Sequence, residues 1–151
     1  MSVFLVQHGL SLPKTEDPEK GLSEKGREET LKIAEVAAGY SVKISKIFHS
    51  GKKRAEQTAL IMAEILCPGS DIEQMADISA MDDVKALGDR LGPDSNHMVV
   101  GHLPYMEKLV SYLTTGREAP KVLKFQNSGI VCLDQDESGW FIRWTLNPNI
   151  S

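Results

Sequence analysis

Apolar residues along the chain form short continuous runs and helically spaced stripes, and the two patterns alternate. The N-terminal run Val3–Val6 is short and continuous, which predicts a buried strand. Ser23 stands before a helically spaced segment that ends at Gly39, so we expect it to be the N-cap of a helix. The same patterns predict strands at 44–48 and 98–100, a weak edge strand at 71–75, and helices at 51–66, from Ser79 to Leu91, and from Pro104 onward.

The period of the pattern changes in the last quarter of the chain. Residues 129–133 and 140–146 flank a polar loop, and this arrangement predicts a β-hairpin. Trp140, Ile142 and Trp144 occupy every second position, so we expect all three side chains on one face. Strands and helices alternate before the hairpin, which predicts an α/β fold with three layers, α/β/α, and a mainly parallel central sheet. We expect one domain over residues 1–151.

Composition and charge exclude several classes of protein. The chain is 41% hydrophobic and 25% charged, which is typical of a soluble globular domain. Its net charge of -4 argues against a general nucleic-acid binder, and no apolar stretch approaches the ~20 residues that cross a bilayer. The N-terminus lacks the pattern of a signal peptide, and Cys67 and Cys132 are isolated. We therefore expect a cytoplasmic monomer with no nucleic-acid or membrane partner.

Two histidines and an arginine follow three of the predicted strands. His8 and His102 come directly after apolar runs, and Arg54 lies in the first turn of the helix after the second run. Open α/β sheets bind ligands beyond the carboxyl ends of their strands, so we expect these three side chains in one cationic pocket. A guanidinium matches phosphate oxygens, and one imidazole could attack phosphorus while the other stabilises the developing charge. Each residue taken alone would more simply be structural; the repetition at three strand ends favours chemistry.

Four neighbouring residues are candidates for binding a phosphate. Gly9 has no Cβ, so it allows a ligand to approach the backbone closely. Ser50 and Gly51 begin a predicted helix, and the free amides and positive dipole end of a helix favour an anion. Gln7 precedes His8 and offers amide hydrogens as donors. These four residues extend the predicted pocket around the two imidazoles.

Asp82 and Asp83 are the candidates for a general acid. Both lie near a predicted helix start, where acidic residues are also favoured by the helix dipole alone. The histidines are scattered, and no HxH or HxxxH spacing occurs. Together with the nearby cationic residues this indicates no metal site, and we expect no cofactor. His49 and His97 lack the context of the other two histidines and are predicted to be structural.

In order and spacing, these segments resemble the histidine phosphatase superfamily, specifically its small SixA-type branch of phosphohistidine phosphatases. The matching segments cover essentially the whole chain: Val3–Gly9, Leu22–Gly26, Ser50–Ala59, Val99–Pro104 and Ser128–Ile130. The resemblance implies a phosphoglycerate mutase-like fold. It implies that His8 is a nucleophile that becomes phosphorylated, that Arg54 and His102 hold the phosphoryl group, and that no metal takes part. It also implies a signalling role, with a phosphohistidine-bearing protein as substrate.

The size of the chain bears on the substrate that the resemblance implies. Larger members of the superfamily carry inserted segments that cover small substrates, and this chain has little room for such a lid. An open site suits a phosphohistidine carried on a protein. An imidazole, with a pKa of about 6.5, leaves more easily than an alkoxide, so strong help from a general acid is less necessary.

The chain departs from the family pattern at Gln7, where the family has arginine. Losing a charge-assisted contact to a phosphoryl group typically costs ~2–4 kcal/mol of transition-state stabilisation. Lys52 and Lys53 are candidates for partial compensation, although ordinary solvated charges are the simpler interpretation. Three functions remain open: a phosphohistidine phosphatase acting through phospho-His8, a weakened or inactive relative that binds phosphorylated partners, and a phosphatase for small phosphate esters.

Overall fold

The computed structural model describes residues 1–149, in which strands and helices alternate and a hairpin closes the chain. The strands within this range are β1 (Val3–Gln7), β2 (Lys46–His49), β3 (Glu73–Gln74), β4 (His97–Gly101), β5 (Ile130–Asp136) and β6 (Gly139–Leu146). The α-helices are α1 (Glu24–Gly39), α2 (Lys53–Leu66), α3 (Lys85–Arg90) and α4 (Tyr105–Thr115), and Pro93–Ser95 form a short 3-10 helix. None of the helices in residues 1–149 has the length and apolar character that crossing a bilayer requires.

The six described strands form one mixed sheet in the order β3-β2-β4-β1-β5-β6. The β2–β3, β2–β4 and β1–β4 pairs are parallel, whereas β5 pairs antiparallel with β1 and with β6. The predicted α/β fold with a C-terminal hairpin is therefore confirmed. Because β4 lies between β1 and β2, the loops that follow these three strands meet at one edge of the sheet.

A helical layer covers each face of the sheet, and each layer has its own hydrophobic core. Phe4 and Val6 of β1 face α1 and α2, where they join Ile33 and Met62 in one cluster. The alternate residues Val3 and Leu5 face the other side, in a second cluster with side chains of α3 and α4. β1 is thus buried on both faces, which explains its continuous run of apolar residues in the sequence.

The predicted start of α1 agrees with the structure, whereas the predicted start of α3 does not. Ser23 caps α1, and its Oγ accepts a hydrogen bond from the amide of Gly26 at 3.0 Å, as expected. The helix expected from Ser79 begins only at Lys85. Before it, the Asp82 carboxylate accepts from the amide of Ser79 at 2.8 Å, and Asp83 accepts from the amide of Lys85 at 3.0 Å. Such short-range side-chain contacts stabilise turns and compete with helix formation.

The expectation that Trp140, Ile142 and Trp144 share one face is wrong. Ile142 pairs with Leu133, but Trp144 pairs with Cys132, so the register between β5 and β6 shifts at this point. Trp140 and Ile142 pack on the side of α4, whereas Trp144 packs on the opposite side against the ring of Phe4. The extra residue of a β-bulge interrupts the two-residue period, which simple alternation cannot anticipate.

Candidate active site

The carboxyl edge of β1, β4 and β2 brings two imidazoles together. His8 follows β1 and His102 follows β4, and the parallel pairing continues past the strand because the His8 amide donates to the Gly101 carbonyl at 3.0 Å. The ring centroids of His8 and His102 lie 5.0 Å apart, with an angle of 48° between the ring planes. The adjacent strand β2 ends at His49, so Ser50 is delivered to the same edge.

The His8 ring is a neutral imidazole, and one of its two nitrogens makes a hydrogen bond to the backbone. Its Nδ1 lies 2.7 Å from the carbonyl oxygen of Gly9. A carbonyl can only accept, so Nδ1 carries the proton and Nε2 keeps its lone pair. The pKa of His8 is lowered from 6.5 to about 4, chiefly by burial and also by the positive charges of Arg54 and Lys20, while the Gly9 contact acts in the opposite direction. At neutral pH, Nε2 of His8 is therefore an unprotonated nucleophile.

Arg54 is half-buried in the first turn of α2 and has no acidic partner within residues 1–149. Burial lowers the pKa of its guanidinium, as expected for a charge that has lost part of its hydration. A partly buried guanidinium without a carboxylate is suited to an anionic ligand, because such a ligand would supply the missing counter-charge.

Thr58 joins the start of α2 to the loop that carries His8. The amide of Gly9 donates to Thr58 Oγ1 at 2.9 Å, and the Thr58 hydroxyl donates to the Arg54 carbonyl at 2.8 Å. Thr58 is fully buried, so both contacts are shielded from water. One hydroxyl therefore sets the distance between the backbone of Arg54 and the backbone that follows His8.

Ser50 contacts the second imidazole. Its Oγ lies 2.5 Å from Nε2 of His102, and it also accepts from the amide of Lys52 at 3.4 Å. Nδ1 of His102 is buried without a hydrogen-bond partner among the described residues, which favours the tautomer with the proton on Nε2, because a buried unpaired N–H is the rarer defect. Burial and the charges of His8, Arg54 and Lys52 lower the pKa of His102 to about 3. In this arrangement Ser50 accepts twice and keeps its own hydroxyl proton for a ligand.

The amides of Gly9 and Gly51, two residues predicted to lie at the phosphate site, donate to acceptors within the protein. Gly9 donates to Thr58, and Gly51 donates to Nδ1 of His49 at 3.0 Å. An N–H makes one good hydrogen bond, so both amides are already used within the protein, and the phosphate-binding roles of Gly9 and Gly51 stay predictions. A side chain at either position would clash with a neighbouring residue, so each position requires glycine. A Cβ on Gly9 would lie 2.8 Å from Thr30 Oγ1, and Gly51 has a φ of 94° with Gln74 against it.

Gln7 opens on a different cleft from that beside Arg54. Its backbone carbonyl accepts from the amide of Ser128 at 2.9 Å, and its side chain lines a cleft of about 470 Å³ together with Lys25, Lys124 and Asn127. The Asn127 side chain donates to the His8 carbonyl at 3.0 Å. The segment before β5 therefore supports the backbone on both sides of the Gln7–His8 peptide bond.

Asp82 and Asp83 are not brought to the imidazoles. Their carboxylates close the turns before α3, and within residues 1–149 neither makes a hydrogen bond or an ion pair with His8, Arg54 or His102. Their role as general acids stays a prediction. The described part of the chain also contains no group of three His, Cys, Asp or Glu side chains placed to hold a metal ion.

Sequence reasoning missed Thr58, Asn127 and Ser128 as supports of the site. Thr58 could have been suspected, because it lies four residues after Arg54 on the buried face of α2. Ser128 begins one of the segments that resemble the family, but no signal in the sequence shows that it or Asn127 contacts the His8 segment. Their contacts with the His8 segment join residues more than a hundred positions apart in the chain.

Known structures share this fold. A protein histidine phosphatase SixA complexed with tungstate superposes with a TM-score of 0.84 at 28% identity, over 98% of this chain and 97% of the other. A phosphoserine phosphatase from Entamoeba histolytica superposes with a TM-score of 0.70 at 13% identity, over 99% of this chain and 98% of the other, which shows the fold alone. The chain thus shares its fold with structures of the histidine phosphatase superfamily.

The sequence is related to one branch of that superfamily. The phosphohistidine phosphatase SixA of Escherichia coli (strain K12) is 29% identical over 155 residues, which cover 98% of this chain and 94% of the relative. The chain is a homologue of SixA. No family model matches the chain.

Proposed function

We propose that the protein is a phosphohistidine phosphatase that acts through a phosphorylated His8 and needs no metal. The observation that carries the proposal is the contact between His8 Nδ1 and the Gly9 carbonyl, which leaves Nε2 with a free lone pair. The His102 ring, which Ser50 contacts, lies beside His8, and Arg54 is a cation that lacks an acidic partner within residues 1–149. The setting that the sequence predicts for this activity is a cytoplasmic monomer in signalling.

The reaction proceeds in two displacements at phosphorus. In the first, Nε2 of His8 forms a bond to phosphorus while the P–N bond of the substrate breaks, and the departing imidazole keeps that electron pair and takes a proton from solvent water. In the second, a water oxygen forms a bond to phosphorus, and the P–Nε2 bond breaks with its electron pair returning to Nε2. The proton that the attacking water loses passes to solvent, and inorganic phosphate leaves. Arg54 and the Ser50 hydroxyl stabilise the charge that develops on the phosphoryl oxygens. His8 Nδ1 donates to the Gly9 carbonyl throughout, which keeps the ring in place.

The nature of the leaving group favours phosphohistidine over an alkyl phosphate. A free imidazole side chain has a pKa of about 6.5, so it departs without the strong general acid that an alkoxide needs. No carboxylate in the described part of the chain contacts the imidazoles to serve as that acid. The relatives known as SixA carry the name of this activity, which supports the same substrate class.

The first test is phosphate release from a phosphohistidine-bearing protein, without added metal, by the wild-type protein and by His8→Asn. We expect His8→Asn to lose at least about 10³-fold in kcat, because the nucleophile is removed. His97→Asn is the matched control, since His97 lies at the opposite end of β4 against Phe48, and it should keep wild-type activity. Acid-labile, alkali-stable labelling of the wild-type protein should identify phospho-His8. Full activity of His8→Asn would disprove the mechanism.

Gln7 favours a second function, which is binding of phosphorylated partners with little or no turnover. The residue brings an amide rather than a guanidinium to the position before the nucleophile, and its cleft is separate from that beside Arg54. This function predicts that the wild-type protein binds a phosphohistidine protein without releasing phosphate, and that Gln7→Arg turns it over. Comparable kcat values for wild-type and Gln7→Arg would instead support the phosphatase.

Hydrolysis of small phosphate esters is the third candidate function, and substitution of Asp82 and Asp83 tests it. Hydrolysis of an alkyl phosphate needs a proton for the leaving alkoxide, for which Asp82 and Asp83 are the predicted donors. We expect Asp82→Asn and Asp83→Asn to change kcat on phosphohistidine by less than about threefold, because the imidazole leaves unaided. Equal wild-type rates on an alkyl phosphate and on phosphohistidine, with a large loss in either variant, would favour the ester phosphatase.

A further inference from the structure

A positively charged cleft lies beside Arg54. It encloses about 830 Å³, and we call it the lysine cleft after its cationic lining: Lys14, Lys20, Lys52, Lys53 and Arg54. Glu19 and Glu56 are the acidic residues that line it. The chain as a whole is negative, with a net charge of -4, so this local excess of positive charge is a distinct feature of the surface.

The lysines of this cleft are not equivalent. Lys53 is neutralised, since its Nζ lies 2.9 Å from the Asp17 carboxylate and 3.7 Å from that of Glu19. Lys14 is exposed. Lys20 is half-buried, and its ammonium makes no hydrogen bond or ion pair within residues 1–149. A lysine that loses water without gaining an acidic partner is available to an anion.

The backbone around Lys20 is firmly held. The Lys20 amide donates to the Asp17 carbonyl at 2.9 Å, and the Asp17 carboxylate accepts from the amide of Gly21 at 2.9 Å. The loop returns to the body of the protein at Leu22, whose amide donates to Gln57 of α2 at 2.7 Å. The backbone of Lys20 is therefore fixed in a loop that is tied to α2, the helix that carries Arg54.

The positive charge of Lys20 also affects the pKa of His8, the proposed nucleophile. It is one of the two positive charges that lower the pKa of His8, the other being Arg54. Lys52 acts instead on His102. Among the lysines of the cleft, Lys20 thus combines an ammonium unpaired within residues 1–149, a tethered backbone and a place in the same cleft as Arg54.

We propose that Lys20 supplies to the phosphoryl group on His8 the second positive charge that Gln7 does not provide. This inference rests on the proposed function, since it concerns the same phosphoryl-binding site. A phosphoryl group carries close to two negative charges, and Arg54 by itself offers one positive charge. Lys20 supplies the second positive charge from the lysine cleft, whereas Gln7 lies on a different segment of the chain and lines a different cleft.

The proposal predicts that Lys20 and Gln7 are coupled, which a double-mutant cycle measures. Tungstate serves as the probe, because it is a phosphate-like oxyanion and its binding needs no turnover. We expect Lys20→Gln to weaken tungstate binding by about ten- to a hundredfold in the wild-type background, as for loss of a contact to a charged group. In the Gln7→Arg background the same change should cost about threefold or less, because the arginine already supplies the charge.

Matched variants separate this role from others. Lys14→Gln removes the same charge from an exposed position of the same cleft and should leave binding unchanged. Lys20→Arg should restore binding, and Lys20→Met repeats the test with a different side chain. The kcat and KM values on a phosphohistidine protein should show the loss mainly in kcat.

Several results would overturn the proposal. The first is an equal loss of tungstate affinity from Lys20→Gln in the two backgrounds. The second is a loss of affinity no larger than that of Lys14→Gln. The third is an effect confined to KM with the protein substrate, which would make Lys20 a docking residue. Absence of tungstate binding by both wild-type and Gln7→Arg also overturns it. If wild-type binds tungstate but releases no phosphate, the proposed enzymatic function fails while the binding cycle still decides the role of Lys20.

Discussion

The hydroxyl oxygen of Ser50 lies 2.5 Å from Nε2 of His102, and this contact joins the ends of β2 and β4. The imidazole is otherwise without a hydrogen-bond partner within residues 1–149, since its Nδ1 is buried and unpaired. Ser50 therefore determines which way the ring of His102 faces. It also links that ring to the start of α2, because Ser50 accepts from the amide of Lys52.

Ser50→Ala should lower the phosphatase kcat by about three- to tenfold, the usual range for losing one neutral hydrogen bond. The physical reason is that the His102 ring loses its partner and the phosphoryl group loses a donor. Ser45→Ala is the control, because the Ser45 hydroxyl contacts backbone carbonyls at the other end of β2. Steady-state kinetics on a phosphohistidine protein makes the measurement. Equal kcat values for the two variants would show that the Ser50 contact has no part in the reaction.

Thr58→Val should destabilise the protein by about 1–3 kcal/mol, because the buried amide of Gly9 would lose its acceptor without gaining water. It should also reduce kcat, since the His8 loop would no longer be tied to the carbonyl of Arg54. Thr58→Ser keeps the hydroxyl and should recover most of both losses. Urea unfolding and kcat on the same samples test this. If Thr58→Ser is as damaging as Thr58→Val, packing of the methyl group rather than the hydroxyl is responsible.

Gly9→Ala should destabilise the fold by about 1–3 kcal/mol, which is typical of overpacking in a well-packed interior. The added Cβ would lie 2.8 Å from Thr30 Oγ1 and 3.0 Å from a methyl group of Leu22. Gly39→Ala makes the same chemical change at the end of α1, where nothing lies within 4 Å of the new Cβ. This control should be neutral or slightly stabilising. A shared urea midpoint for the two variants would contradict the steric argument.

Acid should destabilise the protein between pH 6.5 and about 4 through the two active-site histidines. Burial lowers the pKa of His8 to about 4 and of His102 to about 3, whereas both titrate near 6.5 in the unfolded chain. The unfolded state therefore binds more protons in this window, and the free energy of unfolding falls as the pH falls. Urea unfolding at pH 7 and pH 5 measures the difference.

One comparison isolates the contribution of His8 in that experiment. His8→Asn should unfold with a smaller loss between pH 7 and pH 5 than wild-type, because one buried group no longer resists protonation. Asp17, whose pKa is lowered to about 2 chiefly by its contact with Lys53, titrates below this window and leaves the comparison clear. An identical pH dependence in wild-type and His8→Asn would contradict the lowered pKa of His8.

Periodicity was sufficient to predict the order and type of the elements. The continuous run of β1 and the cap at Ser23 are local signals, and both are present in the structure. The failures occur where one local contact overrides a period. Asp82 and Asp83 bind nearby amides and delay α3, and the register shift beside Cys132 sends Trp144 to the face opposite Ile142.

The site could be predicted in outline, because ends of parallel strands meet at one edge of a sheet. That argument brings His8 and His102 together. It could not show that the amide of Gly9 is taken by Thr58, because that contact depends on how α2 packs. It could not distinguish Lys20 from Lys53 either, since only the folded loop reveals that Asp17 neutralises one of them.

The contacts before β5 have a consequence for how the chain is made. The carbonyl of His8 is held by Asn127, which lies 119 residues later, and the carbonyl of Gln7 is held by Ser128. A nascent chain that has emerged only as far as α4 already contains His8, Arg54 and His102 but lacks the groups that hold the His8 backbone. The contacts that hold the His8 backbone can therefore form only after the segment before β5 has left the ribosome.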